Sequence, residues 1–103
     1  MNLNAIHETF NLASYYPSIK KLGVFGSYSR GDEHENSDID ILIEYDESVD
    51  DYIYNIGRFM EDIEQKISMK IDYVTLNGLM KSSDPTFIEH VLRDVKWLYI
   101  ANN

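Results

Sequence analysis

The chain has 103 residues and carries 9 Lys and Arg against 18 Asp and Glu, which gives a formal net charge of -9. This charge argues against direct nucleic-acid binding, because nucleic-acid-binding proteins neutralise phosphates with Lys and Arg. The length predicts a single domain that spans residues 1–103. No apolar run approaches the roughly 20 residues that span a membrane, no secretory signal pattern begins the chain, and cysteine is absent. We therefore expect a cytoplasmic protein.

Apolar residues at helical spacing predict three helices. The first covers the apolar positions from Leu3 to Ala13 and is stopped by Pro17. The second runs from Ile53 to Ile67, with an apolar stripe on one side and an acidic outer face. The third begins near Pro85 and carries its apolar residues at Phe87, Ile88, Val91 and Leu92.

Two segments near the middle of the chain predict strands. The run from Leu22 to Phe25 is apolar and is broken by Gly26, which indicates a buried strand that ends in a tight turn. Ser27 is then placed to cap a following helix. The segment from Asp38 to Tyr45 alternates with a period of two, which is typical of a strand.

The segment from Lys70 to Leu76 also alternates and predicts a third strand, ended by a turn at Asn77-Gly78. Trp97 to Ile100 fits either a short edge strand or a docking tail. Strands that alternate with helices through short connections predict an α/β fold. We expect a small mixed sheet with helices packed mainly on one face.

Asp38 and Asp40 are the first candidates for a metal site. Residues i and i+2 of a strand project from the same face with Cα atoms about 6.5 to 7 Å apart, so the two carboxylates can converge. Two ionised carboxylates this close repel each other unless a cation lies between them. Oxygen donors suit Mg²⁺ or Mn²⁺. Asp72, on the third strand, could join this pair or accept a proton if its strand neighbours the second.

Acidic residues are also concentrated in one stretch, since ten of the eighteen lie in residues 32–51. No Lys or Arg interrupts residues 31–57. The stretch can be a solvated edge, a cation site or a surface for a basic partner.

The turn after the first strand is a candidate phosphate site. Gly26 lets the backbone approach a ligand, and Ser27 offers a hydroxyl and an N–H at a helix start. The same pair is also compatible with a turn and a helix cap. Arg30 can contact a phosphate or form an ion pair with the acidic loop. Ser37 is expected to hydrogen-bond within its own turn.

The three histidines, His7, His34 and His90, share no spacing, and we interpret them as incidental surface residues.

These residues form a composite pattern with a family resemblance. Gly26-Ser27-Tyr28-Ser29-Arg30-Gly31, then Ser37-Asp38-Ile39-Asp40-Ile41-Leu42-Ile43, with Asp72 on a later strand, resembles the minimal nucleotidyltransferases of the DNA polymerase beta superfamily. The resemblance implies that Gly26 and Ser27 bind the nucleotide triphosphate, and we expect Arg30 and Ser37 to belong to the same nucleotide-binding site. It also implies that Asp38, Asp40 and Asp72 form a carboxylate triad that holds two Mg²⁺ ions.

The resemblance further implies that an acceptor hydroxyl attacks the α-phosphate of ATP, so that AMP is transferred and pyrophosphate leaves. Small stand-alone members of this kind resemble antitoxins whose partner is a HEPN-domain ribonuclease toxin. Two alternatives stay open. The chain could neutralise its toxin by binding without chemistry, or it could transfer a nucleotide to a small molecule. The oligomeric state also stays open.

Overall fold

The computed structural model describes residues 3–34 and 36–101. In chain order the elements are α1 (Leu3–Phe10), a 3-10 turn (Asn11–Tyr15), β1 (Ile19–Phe25), α2 (Ser27–Arg30), β2 (Ile39–Tyr45), α3 (Tyr52–Lys66), β3 (Ile71–Thr75), α4 (Leu76–Leu79), α5 (Pro85–Asp94) and β4 (Lys96–Ile100). Met1, Asn2, Glu35, Asn102 and Asn103 lie outside the described residues. The boundaries of the predicted domain, residues 1–103, therefore stay a prediction.

The four strands form one mixed sheet in the order β3-β2-β1-β4. The central strand β1 is antiparallel to both β2 and β4, whereas β2 and β3 are parallel. The segment from Trp97 to Ile100 belongs to β4, so of the two interpretations of this segment the edge strand is correct. The predicted α/β fold with a small mixed sheet is confirmed.

The larger core lies on one face of the sheet. Ile39, Ile41 and Ile43 of β2 pack there in one cluster with buried residues of α1 and α3, among them Phe10 and Phe59. A smaller cluster on the opposite face joins three buried residues, Leu42 of β2, Leu79 of α4 and Val91 of α5. The alternation of β2 therefore points its side chains into two cores of unequal size. The main helices of the larger core, α1 and α3, lie on one face, and α4 and α5 lie on the other.

Two of the predicted helices expose residues that the sequence assigned to their apolar faces. Ile53, in the first turn of α3, is 71% exposed. Phe87 and Leu92 of α5 are 41% and 42% exposed, and Val91 is the one fully buried residue of that helix. Helical spacing identifies a stripe, but it does not say how far along the helix the sheet extends. Within residues 3–34 and 36–101, no helix has the length and apolar character needed to cross a membrane.

The structure differs from two predictions, the turn at Asn77-Gly78 and the helix cap at Ser27, and each place is occupied by a short helix. The predicted turn at Asn77-Gly78 lies inside α4, because the Gly78 N–H donates to Thr75 Oγ1 at 3.0 Å and caps that helical turn. Ser27 is the first residue of α2 and makes no side-chain cap, so the predicted capping role is wrong. Helix α5 begins as predicted near Pro85, where Asp84 Oδ1 accepts from the N–H groups of Thr86 and Phe87.

Candidate active site

Two of the three candidate carboxylates lie directly beside each other on neighbouring strands. Asp40 of β2 and Asp72 of β3 are register partners in the parallel ladder. On the other side, Asp40 is the register partner of Phe25, the last residue of β1. Both aspartates precede core residues of the smaller cluster by two positions, Leu42 and Val74. Because side chains alternate along a strand, both carboxylates lie on the face opposite to the main helices.

Gly26 brings the backbone against the Asp40 carboxylate. Its φ of 72° and ψ of -149° lie in a region that residues with a Cβ rarely adopt. A Cβ at this position would lie 2.5 Å from Asp40 Oδ2, which is closer than any real contact. The backbone angles therefore favour glycine, and a Cβ at this position would also displace the Asp40 carboxylate.

Asp38 lies just before β2 and is drawn toward a lysine. Its Oδ2 lies 3.7 Å from Lys70 Nζ, and both side chains are substantially exposed. Among the described residues, no group of three or more acidic, histidine or cysteine side chains is closed enough to hold a metal ion by itself. The predicted triad thus consists of a register pair, Asp40 and Asp72, with Asp38 beside it.

The pKa of Asp40 reflects both its burial and its acidic neighbours. Burial raises the pKa of the Asp40 carboxyl above its ordinary value. The charges of Asp72 and Asp38 raise this pKa further, and Arg30 offsets only part of the rise. A divalent cation would relieve this repulsion, and Mg²⁺ usually takes one or two protein carboxylates and completes its coordination with water and phosphate. The donor set fits Mg²⁺, although it does not form a complete protein cage.

Ser27 lies at the start of the four-residue helix α2, which occupies the turn between β1 and the acidic loop. The helix is tied back to the end of β1, because Ser29 Oγ donates to the Gly26 carbonyl at 2.9 Å. It ends at Gly31, which has a left-handed φ of 78°. Ser27 is partly exposed and directly follows the glycine that contacts Asp40. Gly26 therefore lies beside the Asp40 carboxylate, and Ser27 is the next residue in the chain.

Arg30 makes ion pairs in this structure. Its Nε lies 3.2 Å from Asp32 Oδ2, and its Nη1 lies 3.1 Å from Asp94 Oδ2 of α5. The first contact agrees with the predicted alternative of a pair with the acidic loop. The second ties α2 to α5, which the sequence does not predict.

Ser37 closes the acidic loop by local hydrogen bonds. Its Oγ accepts from the His34 N–H at 2.9 Å, and its own N–H donates to the His34 carbonyl at 2.9 Å. Ser37 is thus engaged in its own turn, immediately before Asp38.

A cavity of about 360 Å³ adjoins the Gly26 turn. It is lined by Gly26 and Arg30 on one side and by Phe87, His90, Arg93 and Asp94 of α5 on the other. The sequence reasoning missed this wall and treated His90 as incidental. A signal was present, because Phe87, His90 and Arg93 are each three residues apart and therefore share one side of a helix.

Comparison with known proteins places the chain in a family. The sequence profile described as "Polymerase beta, Nucleotidyltransferase" matches residues 6–103. The chain is also 31% identical over 77 residues to the protein adenylyltransferase MntA of Thermococcus cleftensis, which covers 72% of this chain and 73% of that protein. The chain belongs to the polymerase beta nucleotidyltransferase family, and the predicted enzyme class is confirmed.

Solved structures agree with this assignment. A minimal nucleotidyltransferase superposes with a TM-score of 0.69 at 27% sequence identity, covering 93% of this chain and 95% of that chain. The MNT antitoxin complex with the tri-AMPylated HEPN toxin of Shewanella oneidensis gives a TM-score of 0.55 at 20% identity, covering 95% and 69% of the respective chains. At this lower identity the second match shows the fold alone.

Proposed function

We propose that this chain transfers AMP from ATP to a hydroxyl group of a partner protein, and that the partner is a HEPN-type toxin. The observation that carries the proposal is the register pair of Asp40 and Asp72 beside the Gly26 turn. Two acidic side chains would be costly to hold together unless their site received a cation with its anionic ligand. The family, in which such sites transfer nucleotides, supports the same chemistry.

Four residues are proposed to hold the nucleotide. Gly26 would present its backbone to a phosphate beside the Asp40 carboxylate, and Ser27 would supply a hydroxyl next to it. Arg30 would exchange one of its carboxylate partners for a phosphate oxygen, which guanidinium groups bind in a similar way. Ser37 would fix the loop that precedes Asp38 through its hydrogen bonds to His34.

Asp38, Asp40 and Asp72 are the residues that would hold Mg²⁺, with Mn²⁺ as an alternative. When bound, the ion neutralises phosphate charge and lowers the pKa of a coordinated hydroxyl. Lys70 lies against Asp38, so part of the negative charge at the site is compensated without the ion. Asp40 is the residue whose raised pKa would respond most directly to cation binding, since it faces both of the other carboxylates.

Asp72 is proposed to take the proton in the transfer step. A bond forms between the acceptor hydroxyl oxygen and the α-phosphorus of ATP, while the bond from this phosphorus to the oxygen bridging to the β-phosphorus breaks. Pyrophosphate leaves with that bond's electron pair, and the hydroxyl proton passes to a carboxylate oxygen of Asp72. The exposed position of Asp72 on the edge strand β3 supports this role, because an acceptor can reach it from solvent.

The partner assignment rests on similarity to named relatives. The related Thermococcus protein is named a protein adenylyltransferase, and the Shewanella neighbour is a complex with a HEPN toxin modified by AMP. A protein acceptor is consistent with the site, since Asp72 is exposed on the edge strand β3. A cytoplasmic location stays a prediction.

The proposal is tested by incubating the chain with a purified HEPN-type toxin, ATP and Mg²⁺, and weighing the toxin by mass spectrometry. We expect the toxin to gain the mass of one or more AMP groups. A variant with both Asp38→Asn and Asp40→Asn should leave the toxin mass unchanged. A mass gain that this variant reproduces in full would refute the proposed site.

Neutralisation by binding alone is the second candidate function. Ile53, Tyr54 and Tyr73 are large apolar residues that are 71%, 62% and 49% exposed, and they lie beside the acidic stretch that ends at Asp51. An apolar surface with an acidic rim suits a partner with a basic surface. If the doubly substituted variant protects cells from the toxin as well as the wild type does, binding is the better account. Transfer to a small molecule predicts instead that the toxin mass never changes.

A further inference from the structure

The cavity between the Gly26 turn and α5 brings together cationic side chains in an acidic protein. The chain has 9 Lys and Arg in total, and two of them, Arg30 and Arg93, line this one cavity. His90 and Phe87 complete the α5 wall. The cavity lies next to the carboxylate pair, because its lining includes Gly26 and also Phe25, which is the register partner of Asp40.

A single carboxylate holds the two guanidinium groups in place. Asp94 Oδ2 lies 3.1 Å from Arg30 Nη1, and Asp94 Oδ1 lies 3.4 Å from Arg93 Nε. The Asp94 side chain is only 15% exposed, and its contact with Arg30 is the main reason that the pKa of Asp94 is lowered. Asp94 therefore acts as an internal anion that occupies a position between two arginines.

The arginines retain hydrogen-bonding capacity beyond these contacts. A guanidinium has five N–H donors. Within the described part of the chain, the ion pairs of Arg30 and Arg93 engage a minority of these donors, and both side chains stay about half exposed or more. Both groups can therefore accept an additional anion from the cavity side.

From these observations we propose that the cavity binds the β- and γ-phosphates of the nucleotide, and that Arg93 and His90 of α5 form the far wall of this subsite. The inference rests on the proposed function for the identity of the ligand as a nucleoside triphosphate. The carboxylates and their cation would then hold the reacting α-phosphate, and the guanidinium groups would hold the two phosphates that leave.

The cavity lining favours phosphate over the purine ring as the occupant. Arginine binds phosphate through parallel N–H donors, and two arginines that share one carboxylate can each exchange that contact for a phosphate oxygen. Phe25 and Phe87 also line the cavity, and a phenylalanine ring could instead stack on a base. The experiment below separates these two occupants.

The test measures the affinity of the full chain, with Mg²⁺ present, for ATP, inorganic triphosphate and AMP by titration calorimetry. The variant Arg93→Gln should bind ATP and inorganic triphosphate about tenfold more weakly, as expected for one charge-assisted hydrogen bond, and should bind AMP unchanged. His90→Ala should weaken the same two ligands by a smaller factor. Arg58→Gln is the matched control, because it removes an exposed arginine from α3, far along the chain from this cavity, and should change none of the affinities.

A second variant excludes a merely structural role. Asp94→Asn removes the internal anion and should strengthen the binding of inorganic triphosphate about threefold, because the arginines no longer give up a charged partner. If Asp94 serves only to hold α5 in place, the same substitution weakens binding of all three ligands, and the proposal fails. It also fails if Arg93→Gln leaves ATP binding unchanged or weakens AMP as strongly as ATP, which would place the base or the α-phosphate in the cavity.

The outcomes also separate this inference from the proposed function. If the wild type adenylates its partner but Arg93→Gln binds ATP normally, only the subsite is refuted. If inorganic triphosphate binds with the expected dependence on Arg93 but no AMP is transferred, the subsite stands and the proposed function falls. A wild-type chain that binds neither ATP nor inorganic triphosphate refutes both.

Discussion

Asp40 and Asp72 occupy paired positions on two parallel strands, and Asp72 lies on the outer strand of the two. Parallel pairing aligns their side chains on the same face, since both precede residues of the same small cluster by two positions. Asp40 is half-buried between β1 and β3, whereas Asp72 is exposed. The two carboxylates therefore have different surroundings, and they should respond differently to substitution.

Asp72→Asn should abolish most of the transfer and leave the fold intact. The side chain is exposed and isosteric replacement removes only its charge, so we expect the free energy of unfolding to change by less than about 0.5 kcal/mol. The rate of AMP transfer should fall by about 100-fold or more, as for loss of a general base. Toxin mass spectrometry and urea denaturation measure the two effects. A large loss of stability would assign Asp72 a structural role.

Asp40→Asn should stabilise the chain at neutral pH in the absence of divalent cations. The folded state raises the pKa of Asp40 above its ordinary value of 3.8, so the folded chain binds this proton more tightly than the unfolded chain does. Stability of the wild type is therefore lost as the pH rises through the window from 3.8 to the folded pKa. The gain from Asp40→Asn should be full above that window and should vanish as the pH falls toward 3.8.

Urea denaturation at a series of pH values checks this dependence. Asp50→Asn is the matched control, because it removes the same charge from an exposed turn and reports the general benefit of lowering a net charge of -9. If both variants gain the same stability at every pH, the local repulsion at Asp40 is not the cause.

Gly26→Ala should destabilise the chain more than Gly31→Ala does. Both glycines have positive φ, 72° and 78°, but a Cβ at Gly31 would meet nothing within 4 Å. We expect a loss of about 1 kcal/mol for Gly31→Ala from backbone strain alone. At Gly26 the strain adds to the collision with Asp40, so a loss of about 2 to 3 kcal/mol is expected. Equal losses in thermal or urea unfolding would mean that Asp40 moves aside at no cost.

Tyr16→Phe should cost about 1 kcal/mol of unfolding free energy, the value of a hydrogen bond between partly buried side chains. The Tyr16 hydroxyl donates to the Asp62 carboxylate of α3, and its ring contacts Phe59 edge to face at 5.7 Å. The substitution keeps the ring contact and removes the hydroxyl. Tyr15→Phe is the control, since Tyr15 is 77% exposed and should show no change. A neutral result at Tyr16 would show that solvent replaces this bond.

The elements that carry the site were predictable because their signals are local. The period-two alternation predicted the strand that carries Asp40, and the apolar run before Gly26 predicted the strand that ends there. The pairing of β3 with β2 was not predictable, since strand order depends on contacts between distant segments. For the same reason, Asp72 could be proposed only on the condition that its strand neighbours β2, and the structure meets that condition.

Features that depend on how far the packing extends also could not be predicted from the sequence. Helical spacing gave Ile53 and Phe87 the same apolar role as their neighbours, but the sheet does not extend beneath them. Arg30 and Asp94 are 64 residues apart in the sequence, and nothing in the sequence around either residue indicates that they are in contact. Both residues line the cavity beside α5, and helical spacing could indicate only the α5 wall of that cavity.

Because β3 is an edge strand of the sheet, an acceptor protein could reach the proposed site from the side. Among the described strands, β3 is paired with β2 on one side and with none on the other. A folded acceptor as large as this chain could approach Asp72 laterally, without a hinge motion or the displacement of a covering segment. Turnover would then be governed by the encounter of two folded surfaces, and it should vary with ionic strength as the association of oppositely charged proteins does.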